Sequence, residues 1–262
     1  MWDWVRKLHE LRGGSGHAAG EGPDAIAIVT VTGCAGSTPC AVGAKMLVRL
    51  GGEFFGTIGG GHLEELALAD AQACMVAETS KMFRYPLGAK AGQCCGGIVD
   101  TFVEVLGAAP RLYLFGVGHV GQALARILDG TAFQVHAIDA RPEWIEHAAL
   151  PLSVNRHACA WDEFVDGAAW DDERTYAAIM THRHDVDQDI VNVLVDKPTK
   201  YVGLIGSHTK WARIRERLSA RGISDEKLAR VKCPIGIDIG GKAPQEVAVS
   251  IAAELLKTLH GR

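Results

Sequence analysis

The 262-residue sequence has no excess of positive charge: 27 Lys and Arg stand against 31 Asp and Glu, a net charge of −4 at pH 7. Without a basic footprint, neither nucleic acid nor an anionic membrane surface is an expected partner. No stretch approaches the ~20 uninterrupted apolar residues that a membrane-spanning helix needs. The first residues, Met1-Trp2-Asp3-Trp4-Val5-Arg6-Lys7, lack the apolar core of a secretory signal, so the cytoplasm is the expected compartment. The seven cysteines are an odd number and no two have C-x-x-C spacing. That argues against a disulfide framework and against a structural zinc ribbon. Thiols that matter act singly or as the adjacent pair Cys94-Cys95.

What is present is an ordinary globular composition, 48% hydrophobic and 22% charged, in a chain long enough for two domains. Residues 2–11 have an amphipathic helical pattern, and residues 13–20 read as a glycine-rich connector. Residues 25–31 are a β-branched strand, residues 45–49 and 53–58 a hairpin about Gly51-Gly52, and residues 63–77 a helix. A strand over 98–106 ends this unit, and Gly107-Ala108-Ala109-Pro110 is the expected boundary. Two domains follow, 1–107 and 108–262. Beyond the boundary strands (111–115, 133–138, 175–180, 201–205) alternate with helical patterns (120–128 and, last, 245–259). The predicted fold class is therefore α/β: a C-terminal Rossmann-like, doubly wound parallel sheet with a smaller N-terminal α+β domain.

Gly116-Val117-Gly118-His119-Val120-Gly121 fits G-x-G-x-x-G between a predicted strand and a predicted helix. Asp139 ends the next strand, where an acid can bind a ribose hydroxyl. Glycines at 116, 118 and 121 let backbone approach a pyrophosphate, and the helix start supplies donors and partial positive charge. Thr181-His182-Arg183-His184-Asp185 and Gly206-Ser207-His208-Thr209-Lys210 each follow a strand, so they share the carboxyl edge of the sheet with the glycine loop. His182, His184 and Asp185 suit hydrogen bonding to a heterocycle or a metal. Ser207, Thr209 and Lys210 suit a phosphate. In the bland alternative, Thr181 or Asp185 merely caps a helix.

In the first domain, Gly59-Gly60-Gly61 exposes successive N–H groups that can form an anion nest. Gly92-Gln93-Cys94-Cys95-Gly96-Gly97 presents thiols on pliable backbone. A thiolate is a soft ligand for a thiophilic metal or a partner in sulfur transfer. Cys74 and Cys159 read as small core residues.

These segments resemble the XdhC/CoxI family, accessory proteins of xanthine dehydrogenase and related molybdenum hydroxylases. The resemblance rests on Gly43–Val48, Gly56–Glu64, Gly92–Gly97, Phe115–Gly121, Thr181–Asp185, Gly203–Ser207, Pro234–Gly240 and Pro244–Ile251. It spans residues 25 to 256. It implies a carrier that binds the molybdenum cofactor (molybdopterin), protects it while a cysteine desulfurase supplies sulfur, and inserts it into the apo-dehydrogenase. It further implies a homodimer, with Cys94 or Cys95 near molybdenum. Cys40 departs from the arginine expected after Ser37-Thr38-Pro39, and Gly241-Lys242 from Ala-Arg. The competing reading is an NAD(P)-dependent oxidoreductase using the Rossmann site, although no catalytic dyad at a typical dehydrogenase spacing is visible.

Overall fold

The computed structural model describes residues 3–11, 25–87, 96–107 and 109–261. The predicted connector at 13–20 and the pair Cys94-Cys95 lie outside the described residues. The chain divides into two compact units, Met1–Ala108 and Ala109–Arg262.

The first unit contains helices α1 (Asp3–Leu11) and α2 (His62–Val76) and strands β1 (Ile26–Ala35), β2 (Lys45–Arg49), β3 (Phe54–Gly56), β4 (Lys81–Pro86) and β5 (Ile98–Leu106). The strands form an antiparallel sheet in the order β3-β2-β1-β5-β4. Strand alternation sends Ala27, Val29 and Val31, with Met46 and Val48, to one face. There α2 covers them with Leu63, Ala67, Ala71 and Cys74, a stripe at helical period. Ile26 and Ile28 on the opposite face are buried as well, so β1 is a central strand covered on both sides. α1 packs against β2 and β3, with the Lys45 ammonium 5.3 Å above the Trp4 ring.

The second unit holds β6 (Arg111–Phe115), α3 (His119–Leu128), β7 (Gln134–Ile138), α4 (Pro142–Ile145), β8 (Asn155–His157), α5 (Trp161–Gly167) and β9 (Asp171–Ile179). α6 (His184–Leu194), β10 (Thr199–Leu204), α7 (His208–Ala220), α8 (Asp225–Ala229), β11 (Val231–Lys232) and α9 (Pro244–His260) follow. Its six strands are all parallel, in the order β11-β10-β9-β6-β7-β8. From β6 the chain winds outward through β7 and β8, then returns to β9 and winds the other way. The winding reverses between β6 and β9, where open α/β sheets place their ligand crevice. One apolar layer joins the sheet to α3 and α9, the other to α5, α6, α7 and α8. Among the described residues no helix is long and apolar enough to cross a membrane.

Candidate functional site

The three glycines of the β6–α3 junction, two in the loop and Gly121 in the first turn of α3, do different work. Gly116 has φ +96°, and a Cβ there would lie 2.4 Å from the Met180 carbonyl oxygen. A Cβ on Gly121 would lie 2.5 Å from the Gly116 oxygen. Both positions are therefore closed to side chains by backbone contact. Gly118, with φ −69°, faces open space. It is the N-cap of α3 and offers no side-chain acceptor to the first turn of that helix. Backbone donors with partial positive charge are thus left for a ligand anion at the carboxyl edge of the sheet.

Asp139 stands at the end of β7 and is occupied. It accepts the Val117 N–H at 2.9 Å and a two-pronged bond from Arg141, Nε to Oδ1 and a terminal nitrogen to Oδ2, both at 2.8 Å. Burial would raise its pKa, but these bonds and the Arg141 charge outweigh it and hold the carboxyl below its ordinary range. In this arrangement Asp139 fastens the glycine loop to β7, rather than presenting a free carboxylate to a ribose.

Gly116, Asp139 and His182 do come together. With Cys159, Trp161 and Val186 they line a crevice of about 190 Å³. His184 points into solvent, its side chain 82% exposed, 3.6 Å from an Asp187 oxygen. Asp185 pairs with Arg183, whose hydrogen bonds lower its pKa. Ser207 caps α7, accepting the Lys210 N–H at 3.1 Å. Among the described residues no group of three or more His, Cys, Asp or Glu gathers to hold a metal ion.

Lys210, read from sequence as a phosphate ligand, is turned inward. Its ammonium bonds Asp187 at 2.8 Å and the Ile205 carbonyl at 2.9 Å. Asp187 is fully buried and also accepts the Thr181 N–H at 3.0 Å and hydroxyl at 2.6 Å. A carboxylate without exposure needs such partners. This network ties the loops after β9 and β10 together and positions the crevice wall.

A second, larger pocket of about 590 Å³ was not located from sequence. It lies beyond β10, walled by Ile205, Ile235, Ile237, Ile239 and Val247, with His208 and Asp238 at its polar side. The Pro234–Gly240 segment that forms it has isoleucine at every second position, 235, 237 and 239, yet it forms no strand, so its period-2 pattern does not mark a sheet element. Its alternation of Ile and Gly was the available signal.

In the first unit, the triple-glycine turn is already filled. Oε1 of Glu64, in the first turn of α2, accepts the N–H groups of Ile58 and Gly60 at 3.0 Å each and the Thr57 hydroxyl at 2.5 Å. The nest is built for an oxyanion, and the chain supplies its own. Gly59, Gly60 and Gly61 all have positive φ, which only glycine adopts without strain.

Family models agree with this architecture on both units. One described as the XdhC Rossmann domain matches residues 112–255, and one described as the XdhC and CoxI family matches residues 21–86. The chain belongs to the XdhC/CoxI family. It is 31% identical over 237 residues to "Uncharacterized protein YqeB" of Escherichia coli K12, covering 88% of this chain and 43% of that protein. It is 30% identical over 159 residues to a protein of Bacillus subtilis 168 named as one of the subunits of a probable xanthine dehydrogenase, covering 61% and 46%. The chain thus spans less than half the length of these two relatives. Over 260 residues it is 23% identical to "Molybdenum cofactor insertion chaperone PaoD" of E. coli K12, covering 87% and 81%. A crystal structure described as a xanthine dehydrogenase from Bacillus halodurans superposes with a TM-score of 0.52 at 19% identity, covering 98% and 96%. At that identity the likeness shows the fold alone.

Proposed function

We propose that this chain is an accessory protein of molybdenum hydroxylases that binds the molybdenum cofactor, protects it during sulfuration and inserts it into xanthine dehydrogenase or a related enzyme. The observation that carries the reading is similarity along most of the chain to a relative named as a molybdenum cofactor insertion chaperone, joined to family matches on both units.

The residues suit such a ligand. The uncapped start of α3 at Gly118 and His119 would seat the terminal phosphate of the pterin. The pocket of about 590 Å³ is in the usual ~300–1,000 Å³ range for small-molecule sites, whereas the crevice of about 190 Å³ holds only part of one. The two places lie on the same carboxyl edge, on either side of β9. Ile205, Ile235 and Ile237 would exclude water from a planar ring, and His182 would stand at the opposite side. Cys94 and Cys95 carry thiols of the kind that would ligate a soft metal. Once delivered, the cofactor supplies the molybdenum centre of the recipient enzyme. The chain's own contribution is to hold, orient and shield. In this reading its partners are the apo-hydroxylase, a cysteine desulfurase and a second copy of itself.

The competing oxidoreductase reading has the strand order and glycine loop in its favour. Against it stands Asp139, already engaged by Arg141 and Val117. The deciding experiment is purification from cells that make molybdenum cofactor, followed by assay of released pterin and molybdenum per chain. About one pterin per chain supports the carrier. A chain that stays empty with freshly released cofactor, yet saturates with NAD or NADP at micromolar concentration, replaces it with the oxidoreductase.

A further inference from the structure

Two cysteines bracket the turn that leaves β1. The register between β1 and β5 shifts between Val31 and Gly33, an irregularity of the kind that re-aims the residues after it. Gly33 lies where a Cβ would approach an Asp100 carboxylate oxygen to 3.1 Å. Cys34 follows, exposed at the end of β1 and opposite Val99 on β5. Cys40 comes six residues later, half-buried against the core of the unit. Their Sγ atoms are 3.9 Å apart, and the Cys34 sulfur is 3.6 Å from the Cys40 carbonyl oxygen. Two sulfurs at that separation are in contact, and side-chain rotation is the movement that brings them to bonding distance. Cys74 is instead enclosed beneath α2, and Cys159 and Cys233 belong to the second unit.

We propose that Cys34 and Cys40 are a thiol–disulfide couple, closed by a low-molecular-weight disulfide such as oxidised glutathione and reopened by a dithiol. The exposed Cys34 is the sulfur an incoming disulfide can reach. Its thiolate attacks one glutathione sulfur, the glutathione S–S bond breaks, and one glutathione leaves as thiolate and takes a proton from water. Cys40 then gives up its proton to solvent and attacks the Cys34 sulfur, expelling the second glutathione. The chain loses two electrons and two protons, and one oxidised glutathione becomes two thiols. In the reduced chain, burial and the neighbouring Cys34 raise the Cys40 pKa to about 11, so Cys40 stays protonated while the exposed Cys34 meets the incoming disulfide.

The position gives the couple a structural consequence. Between the two cysteines, Pro39 lies against Gly59, where a Cβ would come within 2.8 Å of its ring. The Ala35 and Ser37 carbonyls lie against Gly97, where a Cβ would come within 2.6 Å and 2.4 Å. The segment spanned by the couple therefore supports both the triple-glycine turn and the residues that lead into β5. Closing the bond fixes that segment, and opening it releases the segment. This holds whether or not the unit carries a cofactor.

The test uses the full-length protein, reduced, freed of reductant and incubated with excess oxidised glutathione at about pH 8. Intact mass should fall by two hydrogens, dithiothreitol should reverse the change, and peptide mapping should join Cys34 to Cys40. Cys40→Ser should instead stop at a glutathione adduct on Cys34. The proposal is overturned if mapping of the wild-type chain joins other cysteines, or if only a mixed disulfide accumulates. The wild-type map needs no variant to fold.

Discussion

At the scale of single residues, the glycine loop separates what the fold needs from what a ligand needs. Gly116→Ala must both relax φ +96° and push back the Met180 carbonyl, so it should lower stability by more than ~2 kcal/mol. Gly118→Ala meets nothing within 4 Å and keeps an allowed backbone, so its unfolding free energy should stay within ~0.5 kcal/mol of wild type. Its methyl group instead enters the space assigned to the phosphate, and pterin retained per chain should fall several-fold. Urea melts and a pterin assay on both variants check this. A Gly118→Ala chain that keeps its pterin would remove α3 from the binding site. The glycines themselves were legible in the sequence because a strand, a helix and an acid stood in register around them. The engagement of Asp139 with Arg141 was not, since a pairing two residues apart depends on the chain turning after β7. Nor was the seating of Glu64 in its own nest, although a glutamate three residues after Gly61 is the spacing at which a first-turn side chain reaches back.

At the scale of elements, periodicity bounded most strands and the helices α1, α2, α3 and α9, marked α6 and α7 only as helical patterns after their strands, and missed elements that are short or polar. β4 escaped because Lys81 to Pro86 carries only Tyr85 fully inside, so no clean alternation marks it. β8 and β11, at three and two residues, are too short to repeat a pattern and exist by pairing with β7 and β10. Two inter-element contacts carry predictions. Lys210→Met strands the buried Asp187 carboxylate between the loops after β9 and β10 and should cost ~3–5 kcal/mol. Lys210→Met with Asp187→Asn removes the stranded charge, and most of the loss should return in urea melts. If the double variant is as unstable as the single, the ion pair is not what joins these loops. On β7 and β8, His136 Nδ1 lies 3.1 Å from His157 Nε2. Burial, the neighbouring imidazole and Arg111 push His136 from 6.5 down to about 3, and burial also lowers His157. Both folded values lie below the unfolded one, so the stability they contribute is whole above pH 6.5 and drains as pH falls, for His136 toward about 3. His136 should then contribute a slope of up to ~1.4 kcal/mol per pH unit between about pH 6 and 5, and His157 adds to it in the same direction. His136→Phe should flatten that slope, and an unchanged slope would assign the acid sensitivity elsewhere.

At the scale of the whole chain, the two units have separate cores, and the proposed seats of phosphate and ring both fall in the second. That unit, Ala109–Arg262, contains the whole parallel sheet, the helices on both its faces and the stretch matched as a Rossmann domain. A chain of this length buries about two-thirds of its surface on folding, enough for independent stability. Expressed alone, it should give one cooperative urea transition, with a guanidinium slope roughly twice the urea slope. Purified from cells that make the cofactor, the fragment should retain pterin, and Gly118→Ala should empty it as in the full chain. It lacks Cys94 and Cys95, so its molybdenum should leave faster than that of the full chain. If the fragment folds and is empty while the full chain is loaded, the anchoring residues lie in the first unit. Attention would then move to the turn at Gly59-Gly60-Gly61, where a ligand anion would have to displace Glu64 from the N–H groups it now holds.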